Sequence, residues 1–264
     1  MRVSANELSS LVKRSMEGLG YNKGQWEDAA RVVVWLEQRG LAGLTILNES
    51  LSRLNKTPSD LPVLKYREQF DGSMDIIDCN LFGRSLLVWS PPICDYALSQ
   101  VHTAALALEL VGVDHPACLL EALSSSAEYG IGAAVLWDEL SGQNHVGRCC
   151  VFAAADVGDT LGEESAIVYR RYLTTQPSTQ RQSATATILL DRDASRLIAN
   201  VESCVERLQF DAVISEVTHC QLQASQRASL VDGIELDNQL FSSLNDLAKN
   251  VLVVASERSR MGAG

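Results

Sequence analysis

The hydrophobic positions at the start of the chain recur every three or four residues, as is typical of helices. Ser4 and Glu7 have the spacing of a capping box, and the apolar residues after them predict a helix that ends at Gly18. Residues 1–55 are therefore predicted to form a helical N-terminal unit. Two further helices are predicted within it, at residues 25–39 and about 44–54.

Beyond residue 55 the pattern changes to short apolar runs separated by helical segments. A long apolar helix is predicted to begin at Pro91 and to end at Gly112. His115-Pro116 is predicted to start another helix, which ends at Gly130. Two runs of strand length are predicted to form a hairpin, at residues 74–79 and 85–89.

The second half of the chain continues this alternation. Residues 158–183 are left unassigned, with a loop predicted at 174–183. Alternating helices and short apolar runs favour an α/β fold, in which helices cover a mixed sheet. We predict a single domain over residues 1–264, with the α/β core at 70–255. Its further predicted elements are strands at 133–137, 149–154, 184–190 and 212–217, helices at 194–208 and 237–249, and a short strand or tail at 251–255.

The composition predicts a folded chain with an acidic surface. Hydrophobic residues make up 46% and charged residues 21% of the 264 residues, which is enough for a sizeable core. The formal charge of −11 argues against a nucleic-acid partner, because phosphate binding needs clustered Lys and Arg. No targeting or membrane-spanning segment is predicted, because the longest apolar stretches fall far below the roughly 20 residues that a span needs. Seven cysteines, an odd number, favour reduced thiols and a cytoplasmic location.

Most catalytic signatures are absent from the sequence. It contains no phosphate loop, no His-Glu-x-x-His, no Cys-x-x-Cys and no Gly-x-Ser-x-Gly. Gly130-Ile131-Gly132 has two glycines of a dinucleotide fingerprint, but a predicted helix precedes it and a predicted strand follows it. The opposite order is needed to hold a pyrophosphate, so a plain helix-to-strand turn is predicted.

The cysteines near histidines are predicted to be structural. Cys149 and Cys150 follow His145, but adjacent strand residues point to opposite faces and cannot both reach one metal ion. The same argument is applied to His219-Cys220. Cys149 and Cys150 are therefore predicted to be core residues, and no metal site is predicted.

His115 is the main candidate for chemistry. It directly precedes Pro116 and is expected at the carboxyl edge of the sheet, where ligand crevices commonly form. An imidazole there can transfer protons, although His115 could equally serve only to cap the following helix, and both interpretations stay open. His102, in contrast, lies in a predicted apolar helix and is expected to be a core or interface residue.

Asp138 is the candidate partner of His115. It follows the predicted strand at 133–137, and the pairing requires that strand to neighbour the one before His115. Asp114 is a nearby carboxylate, and Glu139 is expected to be a solvated loop residue. The predicted catalytic residues are thus His115 and Asp138.

Several segments resemble the malate/L-lactate dehydrogenase-like family, which consists of NAD(P)-dependent 2-hydroxy-acid oxidoreductases with their own fold. In the family an Asn-His pair precedes a helix and a glycine turn, and its histidine, which matches His115, acts in proton transfer. The resemblance implies a reduced version of that fold, a homodimer, and NAD or NADP as the possible cofactor. It rests on residues 3–8, 28–34, 39–40, 114–117, 127–131, 191–209 and 232–248.

The sequence also departs from the family. Leu41-Ala42-Gly43 stands where the family has Ser-His-Gly, so the histidine of that motif is replaced by Ala42. The family's Asp-x-Ala-Thr-Ser run and its glycine-rich His-Lys-Gly segment have no counterpart, and residues 155–183 are too few to contain them. The chain is similar to shortened bacterial proteins of unknown function that share the opening helix pair.

Three functions follow as hypotheses. The first is a shortened relative that binds a small molecule or partner at the His115 edge without classical dehydrogenase activity. The second is an active NAD(P)-dependent oxidoreductase of a small 2-hydroxy acid, with His115 as acid/base and Asp138 orienting it. The third is a non-enzymatic interaction protein, a homodimer joined through the apolar faces of its first two helices.

Overall fold

A mixed β-sheet with helices on both faces forms the centre of the molecule. The computed structural model describes residues 1–54, 62–67, 74–102, 104–141, 144–152, 167–174 and 185–251. Within these ranges the sheet has eight strands in the order β2-β3-β4-β8-β5-β6-β7-β9. The strands are β2 Val63–Arg67, β3 Met74–Asn80, β4 Ala105–Val111, β5 Gly132–Ser141, β6 Asn144–Phe152, β7 Ile167–Thr174, β8 Thr185–Asp191 and β9 Phe210–Val217.

Only β3 and β4 are parallel neighbours in this sheet, and the other neighbouring pairs are antiparallel. Two short strands, β1 Arg2–Val3 and β10 Ile234–Glu235, pair separately and tie the start of the chain to its last part. The predicted fold class, an α/β fold with helices covering a mixed sheet, is confirmed. The helices are α1 Ala5–Gly18, α2 Lys23–Gln38, α3 Gly43–Leu54, α4 Leu86–Gln100, α5 Leu119–Leu123, α6 Ala194–Arg207, α7 His219–Asp232 and α8 Asn238–Ala248.

The N-terminal helices form where their local signals predict. The Ser4 hydroxyl accepts from the Glu7 backbone N–H at 3.2 Å, and the Glu7 carboxylate accepts from the Ser4 N–H at 2.7 Å, which completes the capping box of α1. Asn22 and Gln25 form a second capping box at the start of α2, which the sequence analysis did not identify. Helix α8 packs closely on α1, where the Ser15 hydroxyl donates to the carbonyl of Leu244 at 2.8 Å.

The two faces of the sheet carry unequal helical layers. Alternation along β5 places Val135 and Trp137 in the larger core, which includes residues of α1 to α5 and α8, and Leu136 in a smaller core beneath α6. Cys149 joins the smaller core and Cys150 the larger one, and both are buried. The prediction that they are core cysteines on opposite faces of a strand is therefore confirmed.

The predicted hairpin is wrong, and the long helix predicted after it is confirmed only as far as Gln100. Residues 85–89 belong to the start of α4, and the apolar run at its predicted end is strand β4. Strand β4 lies between β3 and β8 with both faces buried, so its sequence lacks the alternation that separates strands from helices. The helix start predicted at Pro91 is also wrong, because Pro91 and Pro92 lie inside α4 and not at its first turn.

Three more predictions need correction or lie outside the described residues. Strand β7 lies within residues 158–183, a stretch for which the sequence predicts no helix or strand. His219 and Cys220 begin helix α7, so the argument that they diverge as strand neighbours does not apply. The predicted loop beyond Thr174 and the predicted tail beyond Val251 lie outside the described residues.

None of the helices in the described part of the chain is both long and apolar enough to cross a membrane. The apolar faces of the first two helices, expected to join two subunits, are instead buried inside this chain, since Leu8, Val12, Val33 and Leu36 are fully buried in the larger core. These faces are therefore not available for a subunit contact.

Candidate functional site

His115 lies in the turn that connects β4 to a single 3-10 turn at Pro116–Cys118. Gly112 adopts a left-handed conformation, φ +71°, which turns the chain out of the strand. The His115 carbonyl accepts from the Cys118 N–H at 3.0 Å, but its side chain makes no capping hydrogen bond. Of the two open interpretations, capping by the imidazole is therefore wrong.

The imidazole of His115 instead faces helix α3. Its Nε2 lies 3.7 Å from Oε2 of Glu49, which is beyond hydrogen-bond distance but close enough for a charge interaction when the ring is protonated. The His115 side chain is 24% exposed and that of Glu49 is 58% exposed, so a ligand can reach both groups from solvent.

Asp114 anchors the turn beside His115. Its Oδ1 accepts from the backbone N–H of Leu86 at 2.7 Å, at the first residue of α4, where helix N–H groups lack intrahelical partners. Its Oδ2 lies 3.9 Å from Nη1 of Arg53 on α3, and within the described residues it accepts no hydrogen bond. The Asp114 side chain is only 1% exposed, so this carboxylate positions the turn and is not itself open to a ligand.

Sequence reasoning missed Glu49 and Arg53. Together with Thr45 they occupy positions i, i+4 and i+8 of α3, a spacing that aligns three exposed side chains along one helix face. That spacing was the available signal, but nothing in the sequence placed this face against the turn at His115.

Asp138 lies on β5, opposite Gly147 of β6. Strand β8 separates β4 from β5, which puts the two strands about 10 Å apart. Alternation also directs Asp138 to the same face as Leu136, the face covered by α6, whereas the segment after His115 packs on the other face. The strand adjacency on which the pairing depended is absent, and the role of Asp138 stays a prediction.

A groove of about 600 Å³ lies beside the N-terminus of α3. Ala42 lines it, in a left-handed conformation with φ +58° that connects α2 to α3. Thr45 and Asn48 of α3 line it as well, so the groove lies along the first turns of the helix whose next residues, Glu49 and Arg53, face the turn at His115.

The lining of this groove is acidic. Among the described residues it includes three carboxylates, from Glu37, Glu235 and Asp237, and no Lys, Arg or His. Glu37 accepts from the Leu44 N–H at 2.9 Å. Asp237 accepts from two N–H groups in the first turn of α8, at 2.8 and 3.1 Å. Within the described part of the chain, the Glu235 carboxylate forms no hydrogen bond or ion pair.

The remaining candidates have structural roles. Gly130 ends a 3-10 turn with φ +65° and β5 begins at Gly132, which confirms the predicted helix-to-strand turn. His102 is exposed in the segment between α4 and β4, so its prediction as a core residue of a helix is wrong. The side chain of His145 lies outside the described part. Burial raises the pKa of Cys79 to about 11 and that of Cys149 to about 12, so these thiols are protonated at neutral pH.

Known proteins resemble this chain in two ways. Residues 3–69 match a family described as a protein of unknown function (DUF3726), which covers the helical N-terminal unit and β2. No curated protein matches the sequence. In structure, the chain is similar to a dehydrogenase from Sinorhizobium meliloti, with a TM-score of 0.65 and 15% identity over 94% of this chain and 99% of that one.

Two further solved structures point to the same fold. A malate dehydrogenase from Pyrococcus horikoshii OT3 has a TM-score of 0.62 and 11% identity, over 96% of each chain. The chain has the malate/L-lactate dehydrogenase-like fold. A delta1-piperideine-2-carboxylate reductase from Pseudomonas syringae shares the malate/L-lactate dehydrogenase-like fold at a TM-score of 0.51 and 13% identity, over 94% of this chain and 99% of that one.

Proposed function

We propose that the protein is a shortened, non-classical relative of the malate/L-lactate dehydrogenase-like enzymes, which binds a small polar molecule along α3 and lacks malate or lactate dehydrogenase activity. The observation that carries this proposal is the acidic groove at Ala42. By the resemblance to the family, Ala42 stands where the Ser-His-Gly motif has its active-site histidine.

The charge of the groove argues against the substrates of the family. Malate and lactate are anions and a dinucleotide carries a pyrophosphate, whereas Glu37, Glu235 and Asp237 present negative charge without a neighbouring cation in the lining. Like charges in a partly enclosed site repel more strongly than in bulk water. The residues that line this groove therefore do not fit a dinucleotide, and a neutral or cationic ligand is favoured instead.

The loss of the dehydrogenase activity is tested by thermal shift and turnover together. We expect no rise in melting temperature with NAD, NADH, NADP or NADPH up to millimolar concentrations, and no turnover of malate or lactate. A saturable rise with one of the four, with turnover that His115→Ala abolishes, would overturn the proposal.

The ligand class is tested with two four-carbon molecules of opposite charge. Putrescine, a diamine, is expected to raise the melting temperature, and succinate, a dicarboxylate, is not. Glu235→Gln should reduce the putrescine effect because it removes one negative charge from the groove. A larger rise with succinate than with putrescine would contradict the predicted charge preference.

A second candidate function rests on the His115–Glu49 pair. A carboxylate beside a partly buried imidazole is an arrangement that supports acid/base catalysis, which keeps an active oxidoreductase with a rebuilt site as the alternative. In that case His115→Asn should lower the rate at least a hundredfold with the fold intact, and Glu49→Gln should lower it less. Asp138→Asn tests the predicted orienting role in the same assay, and an unchanged rate would remove it.

We also propose a homodimer in the cytoplasm. Exposed apolar side chains favour a subunit contact, since Val213 and Ile214 on β9 are 51% and 52% exposed and Val231 on α7 is 85% exposed. The cysteines of the described chain are free thiols, which fits a reducing compartment.

A further inference from the structure

A second groove, of about 630 Å³, lies between α1, α2 and α7, on the other side of the C-terminal end of α2. Its apolar lining residues include Val34 and Trp35 of α2 and Leu230 of α7. Unlike the groove at Ala42, it is lined by three cationic side chains, which belong to Lys13, Arg31 and Arg39.

Arg39 is held in a fixed position within this groove. Its guanidinium carbon lies 4.1 Å from the centroid of the Trp35 ring, and Nη1 donates to the Trp35 carbonyl at 3.3 Å. Nη2 donates to Oε1 of Gln226 on α7 at 3.1 Å. Burial lowers the pKa of Arg39, an effect that the negative charge of Glu121 opposes. Arg39 is thus a preorganised, partly desolvated cation. A guanidinium has five N–H groups, so further donors remain for a ligand.

The charges around Arg31 are already balanced. Arg31 pairs with Asp28 at 3.1 Å and with Glu121 at 2.8 Å. The one carboxylate in the lining, that of Glu27, lies 4.0 Å from the ammonium of Lys23.

Lys13 and Arg39 differ from Arg31 in their charge environment. Within the described ranges neither forms an ion pair, and Lys13 lies 6.0 Å from the centroid of the Trp26 ring. In a chain with a formal charge of −11, two cations in one groove that form no ion pair with the described residues make a local site of positive charge.

We propose that this groove binds a small organic anion, a carboxylate with an aromatic or apolar body. The carboxylate pairs with the guanidinium of Arg39, which matches its two oxygens with parallel N–H groups, and Lys13 adds a second positive charge. The apolar body packs on Val34, Trp35 and Leu230. This site is separate from the groove at Ala42 and does not depend on the function proposed for it.

Isothermal titration with 1-naphthoate tests the proposal, with uncharged 1-naphthamide as the matched ligand. Naphthoate is expected to bind saturably and at least tenfold more tightly than naphthamide. Arg39→Gln should weaken naphthoate binding at least tenfold, and Lys13→Gln should weaken it by a smaller factor. Arg14→Gln removes the same charge from the exposed side of α1, outside the groove, and should leave the affinity unchanged.

Circular dichroism and melting curves show whether each variant keeps its fold, and Lys13→Gln provides the test if Arg39→Gln unfolds. Equal affinities for naphthoate and naphthamide, no saturable binding at millimolar naphthoate, or an equal loss in Arg14→Gln would each overturn the proposal. A change in sedimentation of Arg39→Gln without a change in affinity would assign the groove to a contact between subunits and would also overturn it.

Discussion

Asp114 and Glu121 are two largely buried carboxylates with different partners. Asp114 accepts a hydrogen bond at the N-terminus of α4, from the N–H of Leu86 at 2.7 Å. Glu121 has one oxygen 2.8 Å from Nε of Arg31, while its other oxygen is buried and accepts no hydrogen bond from the described residues. Asp114 is therefore tested through its hydrogen bond to the helix terminus, and Glu121 through the effect of its burial on the pH dependence of stability.

Asp114→Ala is expected to destabilise the protein by about 1–2 kcal/mol, because the Leu86 N–H loses its acceptor at a buried helix terminus. Asp114→Asn keeps an acceptor oxygen and should cost clearly less. Urea denaturation of the two variants measures the difference. Equal losses in both would mean that the charge, and not the hydrogen bond, stabilises this turn.

Glu121→Gln is expected to change how stability depends on pH. Burial raises the pKa of Glu121 above its usual value of 4.5, and the charge of Arg31 only partly opposes this. The folded state therefore binds a proton more tightly than the unfolded state, and this contribution to stability is lost as pH rises from about 4.5 through the raised pKa.

The comparison is the free energy of unfolding of Glu121→Gln minus that of the unmutated protein, measured from pH 4 upward. We expect this difference to increase as pH rises above 4.5, because the unmutated protein loses stability there and the variant does not. Glu128→Gln removes an exposed carboxylate from the same region and serves as the control for the loss of one negative charge. A difference for Glu121→Gln that falls with pH would contradict the assigned cause.

Elements in this fold approach one another closely at particular backbone positions. Gly18 near the end of α1 lies against α8, where a Cβ would come within 2.0 Å of the Leu247 carbonyl oxygen. Gly43 likewise permits close contact between α3 and α2, where a Cβ would lie 2.2 Å from the carbonyl oxygen of Val33. Glycine at these positions is therefore required for helix packing and not for backbone conformation.

Gly18→Ala is expected to destabilise the protein by about 1–3 kcal/mol, because α1 and α8 must separate to admit the methyl group. Gly24→Ala, in α2, is the matched control. Its Cβ would have no neighbour nearer than 3.6 Å, and alanine favours helix, so a gain of up to about 1 kcal/mol is expected. Thermal melts of both variants check the pair, and a neutral Gly18→Ala would show that α8 can move away freely.

At the scale of the whole molecule, charge is distributed unevenly around the end of α2. One groove beside it is lined by Glu37, Glu235 and Asp237, and the other contains the cations Lys13 and Arg39, which form no ion pair where the structure describes the chain. A net charge of −11 alone does not reveal the second groove, because it sums over the whole surface. Val213 and Ile214 on β9 and Val231 on α7 are exposed apolar side chains, which the proposed dimer would cover.

The dimer predicts a mass of about twice 28.7 kDa by sedimentation equilibrium at micromolar concentration. Val213→Glu combined with Val231→Glu should shift the protein to monomer, because a charge would be buried in the contact. Tyr129→Glu changes another exposed apolar residue, at the turn before β5, and should leave the dimer intact. A monomer for the unmutated protein would refute the dimer.

Sequence alone determined the features that depend on neighbours along the chain. The capping box of Ser4 and Glu7, the N-terminal helices, the turn at Gly130 and the opposite faces of Cys149 and Cys150 all follow from interactions within a few residues. The resemblance of short segments, in their order, was enough to identify the fold.

Tertiary structure decided everything that depends on residues far apart in the sequence. Strand β4 has no alternation because the sheet buries both its faces, so no local pattern separates it from a helix. Insertion of β8 between β4 and β5 separates Asp138 from His115, and packing of α3 brings Glu49 to His115 instead. These contacts join positions 49 and 115, or 86 and 114, and only the packed chain brings such positions together.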